Sequence, residues 1–309
     1  MVVVSFPDPA LRDAVGEVPG VESVLWDPAG DAAPDERVEV VVAPYLGAAS
    51  ALAAVAQLPD VRLVQLQSAG YDGVLEVVPE EVGVANAAGV YDAATAELAV
   101  GMVIASLRGI PDAVRSGDGA RWTPLGRRTS LADRRVLVVG YGSVGRAIAR
   151  RLSTFEVTLT AVASRARAGD DLVDTVHGID ELSTLLPEHD VVIVIVPLND
   201  STRHLVDDAF LSALPDGALL VNVARGPVAD TDALVAHSGR LPLALDVTDP
   251  EPLPDGHPLW TAPNVLITPH AGGNTTALLP RMSALLREQL GRVAAGEEPR
   301  HLVRPIVKT

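Results

Sequence analysis

The chain has 309 residues, 48% hydrophobic and 21% charged, with a formal net charge of −16, which leaves room for two domains of ordinary size, each with its own core. So acidic a surface repels phosphate backbones and anionic membranes, excluding nucleic acid and lipid surfaces as general partners. With no cysteine, and with Lys308 as its one lysine, it cannot form disulfides, thiolate nucleophiles, cysteine-bound metal sites, an internal Schiff base or a phosphate loop ending in Gly-Lys.

From Met1 to Asp8 there is neither the basic start nor the long apolar run of a secretory leader. No later stretch reaches the about 18 uncharged apolar residues of a membrane span, so the expected location is the cytoplasm. A first β/α series follows: Val2–Phe6, Val38–Val42, Val61–Gln65 and Val82–Ala85 read as strands, and Ala48–Gln57 as a helix. Residues 92–108 are small or apolar on nearly every face, which predicts a helix buried all round, against both domains or against a second subunit. The arginines from Arg115 to Arg135, with Trp122 among them, read as a solvated face or a subunit contact.

A second series begins at Val136. Val136–Val139, Val157–Ala163, Val191–Val196, Ala218–Val223, Leu243–Val247 and Val265–Ile267 are continuous apolar runs separated by helix-like segments. Unbroken apolar runs mark strands covered on both faces, so this half reads as a doubly wound parallel sheet of six strands. Leu278–Ala295 is again helical and returns to the first domain, which makes that domain discontinuous. The expected boundaries are 1–93 with 280–309 for the smaller domain and 94–279 for the larger.

The strand at Val136 runs into Gly140-Tyr141-Gly142-Ser143-Val144-Gly145. At such a strand-to-helix turn the first glycine permits the bend, the second lets backbone approach a pyrophosphate, and the third lets helix and strand pack closely. The helix start adds unpaired N–H groups for the phosphates. An acid at the end of the next strand normally accepts the adenosine ribose hydroxyls and selects NAD. Ala163 stands there instead, followed by Ser164, Arg165 and Arg167. A missing acid together with added base favours NADP(H) over NAD(H), which remains the alternative; the arginines can also simply line a solvated turn.

Ligands of parallel sheets bind beyond the carboxyl ends of the strands. Three charged residues follow successive strand ends: Arg225, Glu251 and His270. Arg225 can hold a carboxylate and polarise a carbonyl through its forked donors, His270 can carry a proton, and Glu251 can fix its tautomer. His177, His189, His204, His237, His257 and His301 lack ligand spacing, and no metal is expected.

These features together resemble the D-isomer-specific 2-hydroxyacid dehydrogenase family. The resemblance runs through Ser68-Ala69-Gly70-Tyr71-Asp72, Thr95-Ala96-Glu97, the Gly140–Gly145 turn, Val196-Pro197-Leu198 with Thr202, Asn222-Val223-Ala224-Arg225-Gly226, Asp246, Glu251-Pro252 and Pro269-His270-Ala271-Gly272-Gly273. It implies an α/β protein with a Rossmann cofactor domain, a smaller discontinuous flavodoxin-like substrate domain and residues 92–108 as an interdomain or dimer helix. By resemblance, Arg225 binds substrate, His270 donates the proton in the reducing direction and Glu251 pairs with His270. Backbone amides near Ala69 and Gly70 receive the substrate carboxylate in an interdomain cleft whose closure expels water. Cofactor contacts are implied at Gly140, Gly142, Ser143, Val144, Gly145, Pro197, Thr202, Val223, Ala224, Asp246, His270, Gly272 and Gly273.

Two departures stand out. Thr248 replaces the usual aromatic, with Asp249 adding a charge beside it, and Leu98 replaces a frequent histidine. The expected activity is reduction of a small 2-oxo acid, such as glyoxylate or hydroxypyruvate, to the (R)-2-hydroxy acid by a homodimer. The regulatory domain of many phosphoglycerate dehydrogenases is expected to be absent. Two alternatives stay open: a non-catalytic dinucleotide sensor, and oxidation of a small anion such as phosphite. The formate-oxidising relatives carry glutamine where Glu251 stands, whereas the phosphite-oxidising ones keep glutamate.

Overall fold

The computed structural model describes residues 1–35, 37–45 and 47–306, so Lys308 lies outside the described residues. The chain divides into two compact units, Met1–Tyr91 with Thr276–Thr309, and Asp92–Thr275.

In the first unit, β1 (Val2–Phe6) leads into α1 (Pro9–Val15). Asp8 caps α1 by accepting from the Leu11 N–H at 2.8 Å, and Gly16 ends it at a φ of 70°. β2 (Val21–Leu25), α2 (Ala48–Leu52), β3 (Val40–Val42), β4 (Leu63–Gln65), α3 (Val74–Val77) and β5 (Gly83–Ala85) complete the N-terminal part. The strands run parallel in the order β5-β4-β3-β1-β2, the flavodoxin-like arrangement. The central triplets are valine-rich because both of their faces are covered: Val40, Val41 and Val42 are fully buried. β2 escapes a reading from sequence because it is an edge strand carrying exposed Glu22 and Ser23, without an apolar run.

The second unit opens with α4 (Asp92–Arg108) and α5 (Ile110–Asp118). It continues through β6 (Arg135–Val139), α6 (Ser143–Leu152), β7 (Thr158–Ala163), β8 (Arg167–Ala168), β9 (Thr175–Gly178), α7 (Leu182–Leu185), β10 (Val191–Val194), α8 (Asp208–Ala213), β11 (Leu219–Asn222), α9 (Thr231–His237), β12 (Leu243–Leu245) and β13 (Val265–Ile267). The sheet order is β13-β12-β11-β10-β6-β7-β9-β8, parallel except for β8. Strand order reverses between β6 and β10, the place where such sheets open a ligand crevice. The sheet has eight strands where the apolar runs predict six: Thr175-Val176-His177-Gly178 is too short and too polar to read as a strand, and β8 has only two residues.

The apolar runs are continuous because the sheet is sandwiched. Leu137, Val139, Val192, Val194 and Leu220 face one core, and Val136, Val138, Val191, Ile193 and Val221 face the other. On the second face, Ala96, Ala99 and Val103 of α4 meet Ile148, Ala149 and Leu152 of α6. Within the single chain α4 is not covered on every face. Glu97, Gly101 and Arg108 are exposed, because a helix lying on one face of a sheet is covered from that side only. Among the described residues no single helix is long and apolar enough to cross a membrane.

The chain then returns to the first unit. α10 (Leu278–Ala294) buries Met282, Leu286, Leu290 and Val293, at helical spacing, in that unit's core. β14 (Leu302–Arg304) pairs antiparallel with β5 at the sheet edge.

Candidate active site

β11, β12 and β13 are neighbours in the sheet, so the residues beyond their carboxyl ends share one rim. Beyond β11, the Asn222 side chain accepts from the Ala224 N–H at 3.0 Å and donates to the Arg225 carbonyl at 3.2 Å, fixing the turn that carries Arg225. Arg225 is partly buried, and its Nη1 donates to the Ala224 carbonyl at 2.7 Å. Gly226 is required by packing: an added Cβ would lie 1.8 Å from the Thr248 carbonyl oxygen, so the loops after β11 and β12 meet backbone to backbone. Thr231 ties them again by donating to the Asp249 carbonyl at 2.6 Å. Thr248, the substitute for an aromatic, is buried and donates to the Pro250 carbonyl at 2.9 Å, which folds the loop back toward Glu251.

His270 Nδ1 lies 2.7 Å from Glu251 Oε1, with both side chains half-exposed. The backbone of His270 is left-handed, at a φ of 50°, a conformation in which histidine is enriched but which is rarely adopted. Asp246 maintains it. Its carboxylate is buried at the end of β12 and accepts from Thr268 Oγ1 at 2.5 Å, the Ala271 N–H at 2.8 Å and the Gly272 N–H at 2.9 Å, while its carbonyl accepts from the His270 N–H at 2.8 Å. Thr95 of α4 donates to the Gly272 carbonyl at 3.4 Å. Asp246 is read from sequence as a nicotinamide contact; in the structure its bonds hold the His270 turn. Asn222 stands in sequence only as part of the motif around Arg225, and Thr268, which braces the second turn, carries no distinguishing sequence signal, since a single Thr after a strand occurs throughout globular proteins.

The glycine turn separates packing from ligand approach. Gly140 has a φ of 106°, and a Cβ there would lie 2.1 Å from the Ile195 carbonyl oxygen; one at Gly145 would lie 2.0 Å from the Gly140 oxygen. At Gly142 an added Cβ meets nothing within 4 Å. The protein's own packing thus requires the outer two glycines but not the middle one, which suits a ligand that brings its own atoms there. α6 has no side-chain cap, so the first-turn amides of Ser143, Val144 and Gly145 are available to phosphates, and Ser143 Oγ donates to Asp92 at 3.2 Å. These residues fit a dinucleotide pyrophosphate.

Past β7, Ser164 and Arg165 are exposed, and Arg165 has no hydrogen-bond or ion-pair partner among the described residues. Arg167 differs: its Nη2 donates to the Tyr141 carbonyl at 2.6 Å, and its guanidinium sits 6.0 Å from that ring's centre. Behind them Arg146 Nε donates to Asp170 at 2.7 Å, and Tyr141 Oη donates to the same carboxylate at 3.1 Å. The bond from Arg146 is the main cause of an Asp170 carboxyl pulled down to about 2, while burial first and Asp170 second push the Tyr141 phenol up to about 12. Beyond β10, Thr202 donates to the Pro197 carbonyl at 2.6 Å and accepts from the Asn199 N–H at 2.9 Å, closing a tight loop. Val223 and Ala224 are buried at the end of β11. Gly273 accepts from the Thr275 N–H at 3.0 Å.

In the first unit, Ala69 and Gly70 follow β4. Asn86 Nδ2 donates to the Ala69 carbonyl at 2.7 Å, and Ser68 Oγ donates to the Gly70 carbonyl at 2.6 Å. Among the described residues no group of three or more His, Asp and Glu side chains is placed to hold a metal ion.

Comparison with known proteins agrees with this construction. Residues 100–272 match the family model described as D-isomer specific 2-hydroxyacid dehydrogenase, NAD binding domain. A glyoxylate reductase of Thermofilum pendens is 34% identical over 255 residues, covering 79% of this chain and 75% of that protein. Among solved structures, a D-isomer specific 2-hydroxyacid dehydrogenase of Xanthobacter autotrophicus in complex with NADPH and MES has a TM-score of 0.80 at 30% identity, covering 98% of this chain and 97% of that one. An NADPH-dependent glyoxylate/hydroxypyruvate reductase of Sinorhizobium meliloti, in complex with NADP and malonate, has a TM-score of 0.80 at 28% identity, covering 99% and 98%. The chain belongs to the D-isomer-specific 2-hydroxyacid dehydrogenase family and is an NAD(P)-dependent dehydrogenase.

Proposed function

We propose that the protein reduces a small 2-oxo acid, glyoxylate or hydroxypyruvate, to the (R)-2-hydroxy acid with NADPH as the preferred donor. The observation that carries the chemistry is the 2.7 Å contact between His270 Nδ1 and Glu251 Oε1. With Nδ1 engaged, Nε2 is the nitrogen left to deliver a proton to the substrate oxygen, and the carboxylate stabilises the imidazolium before transfer. Arg225 holds the substrate through its guanidinium fork, polarising the carbonyl and gripping the carboxylate. The Ala69 and Gly70 amides receive that carboxylate as well. The bound nicotinamide supplies the hydride. Asp246 contributes by holding the His270 turn, and the Val223–Ala224 backbone bounds the nicotinamide site.

Three points support NADPH: Ala163 stands where the acid would be, Arg165 beside Ser164 has no partner among the described residues, and the S. meliloti reductase is described as NADPH-dependent. A homodimer is part of the same reading. After α4 the chain exposes Ile110 and Val114 on α5 and then Trp122, which is 97% exposed, and burying these side chains against a second copy would remove apolar surface from water.

The deciding experiment measures kcat/KM for glyoxylate, hydroxypyruvate, pyruvate and longer 2-oxo acids with NADPH and with NADH, and for phosphite with NADP+ and NAD+, alongside the molar mass by light scattering. Preference for a two- or three-carbon acid with NADPH supports the reading. Tight cofactor binding without turnover of any 2-oxo acid favours a sensor, and turnover confined to phosphite favours anion oxidation.

A further inference from the structure

The loop after β4 presents three consecutive carbonyl groups that are all held from behind. The Ser68 carbonyl accepts from the Ala87 N–H at 2.9 Å, the Ala69 carbonyl from Asn86 Nδ2 at 2.7 Å, and the Gly70 carbonyl from Ser68 Oγ at 2.6 Å. In a planar trans peptide the C=O and the following N–H point in opposite directions. Anchoring these three carbonyls therefore turns the N–H groups of Ala69, Gly70 and Tyr71 away from their anchors. None of the three has an acceptor among the described residues. Backbone donors without acceptors are unusual unless water or a ligand completes them, and successive ones form an anion-binding concavity.

Asn86 is the hub of this arrangement, and all four of its polar groups are engaged. Its N–H donates to the His301 carbonyl at 3.0 Å, its Oδ1 accepts from the Ala88 N–H at 3.2 Å, its Nδ2 holds Ala69, and its carbonyl accepts from Gln65 Nε2 at 3.1 Å. Gln65 is fully buried and is itself held by Gln289 of α10, which donates to its Oε1 at 2.9 Å. Gln289 is locked in turn by bonds of 2.8 Å to the Arg300 carbonyl and from the Arg300 N–H. A chain of buried amides thus runs from the returning helix to the loop. A buried polar network satisfied at every member fixes one geometry, because any shift leaves a desolvated group unpaired.

We propose that Asn86 and Ser68 are positioning residues that aim the Ala69, Gly70 and Tyr71 amides at the carboxylate of the 2-oxo acid, Tyr71 adding a third donor to the two already assigned. This rests on the function proposed above. The bound carboxylate replaces the absent acceptors, whereas a 2-oxo amide offers one uncharged carbonyl oxygen to three donors and brings N–H groups of its own, so the loop selects 2-oxo acids over their amides.

The test compares wild type with Ser68→Ala, Ser68→Thr and Asn86→Ala. For each, kcat and KM are measured for a 2-oxo acid and for the corresponding 2-oxo amide, together with an amide NMR titration of 15N-labelled protein with oxamate. In wild type the Ala69, Gly70 and Tyr71 resonances move on addition of oxamate. Ser68→Ala and Asn86→Ala raise KM for the acid about tenfold, with KM for NADPH nearly unchanged, and reduce acid-over-amide discrimination by a similar factor. Ser68→Thr keeps the hydroxyl and restores both. Should Asn86→Ala fail to fold, Ser68→Ala decides alone, since it removes a single bond within a partly buried loop. Discrimination equal to wild type in a folded variant, or amides that ignore oxamate, overturns the proposal. Turnover of 2-oxo acids with unmoved amides defeats this assignment and leaves the function standing; shifted amides without turnover do the reverse.

Discussion

Nδ1 of His270 lies 2.7 Å from Oε1 of Glu251, and the other ring nitrogen has no partner among the described residues. Of the two ring nitrogens, then, Nε2 is the one left for a substrate. Replacing His270 with alanine removes the proton donor while leaving the glycine turn intact. The expected result is a kcat lower by about 100- to 10,000-fold, the range for loss of general acid catalysis, with NADPH dissociation nearly unchanged by fluorescence titration. Near-normal turnover of the variant at neutral pH would remove His270 from the role.

If Glu251 acts through His270, as the proposed function has it, the two effects do not add. Glu251→Ala alone should lower kcat by about tenfold or more, whereas in the His270→Ala background the same change should cost nothing further. A full independent loss in the double variant means that Glu251 touches substrate directly.

How much of this was legible before folding depends on what carried the signal. Val136 to Val139 and Val191 to Val194 stood out because a strand buried on both faces needs an apolar residue at every position. Val176, buried in β9 between polar Thr175 and His177, did not. Arg225, Glu251 and His270 were conspicuous as charges placed just beyond such runs. Thr268 and Asn86 were not, because what sets each apart is a bond to a loop remote in sequence or to a particular carbonyl, and residue type alone does not encode that. Arg165 and Arg167 looked alike in sequence; folding separates them by giving Arg167 the Tyr141 carbonyl and leaving Arg165 unpartnered.

That difference makes cofactor choice testable residue by residue. Arg165→Ala should raise KM for NADPH by about 10- to 100-fold, the loss expected for a charge-assisted bond to a phosphate, while leaving KM for NADH nearly unchanged. Ala163→Asp should weaken NADPH further and improve NADH. Arg167→Ala should lower Tm more than Arg165→Ala does, since its guanidinium braces Tyr141. Equal effects of Arg165→Ala on the two cofactors would exclude a 2'-phosphate contact.

Asp170 supplies a pH signature. Its carboxyl is held at about 2, chiefly by the bond from Arg146, against an ordinary value of 3.8. A depressed carboxyl stabilises the folded state above its unfolded value, and that contribution disappears as pH falls through the folded value. Asp170→Asn should therefore have a lower Tm than wild type at pH 6, with the gap narrowing between about pH 4 and pH 2. A gap that stays constant over that interval would mean that the ion pair with Arg146 contributes nothing to stability.

The three glycines of the turn should respond differently to the same added methyl group. At Gly140 a Cβ collides with the Ile195 carbonyl at 2.1 Å on a backbone with a φ of 106°, so both sterics and conformation oppose alanine. Gly140→Ala should lose at least about 2 kcal/mol of stability, read as a lower denaturant midpoint. At Gly145 the Gly140 oxygen lies 2.0 Å from the added atom, with a similar outcome. Gly142 has open space around its Cβ position and a φ of −90° that any residue adopts. Gly142→Ala should fold with a midpoint near wild type, yet bind NADPH at least about tenfold more weakly, because the methyl occupies space the pyrophosphate needs. If Gly142→Ala binds cofactor as wild type does, the phosphates do not approach this turn.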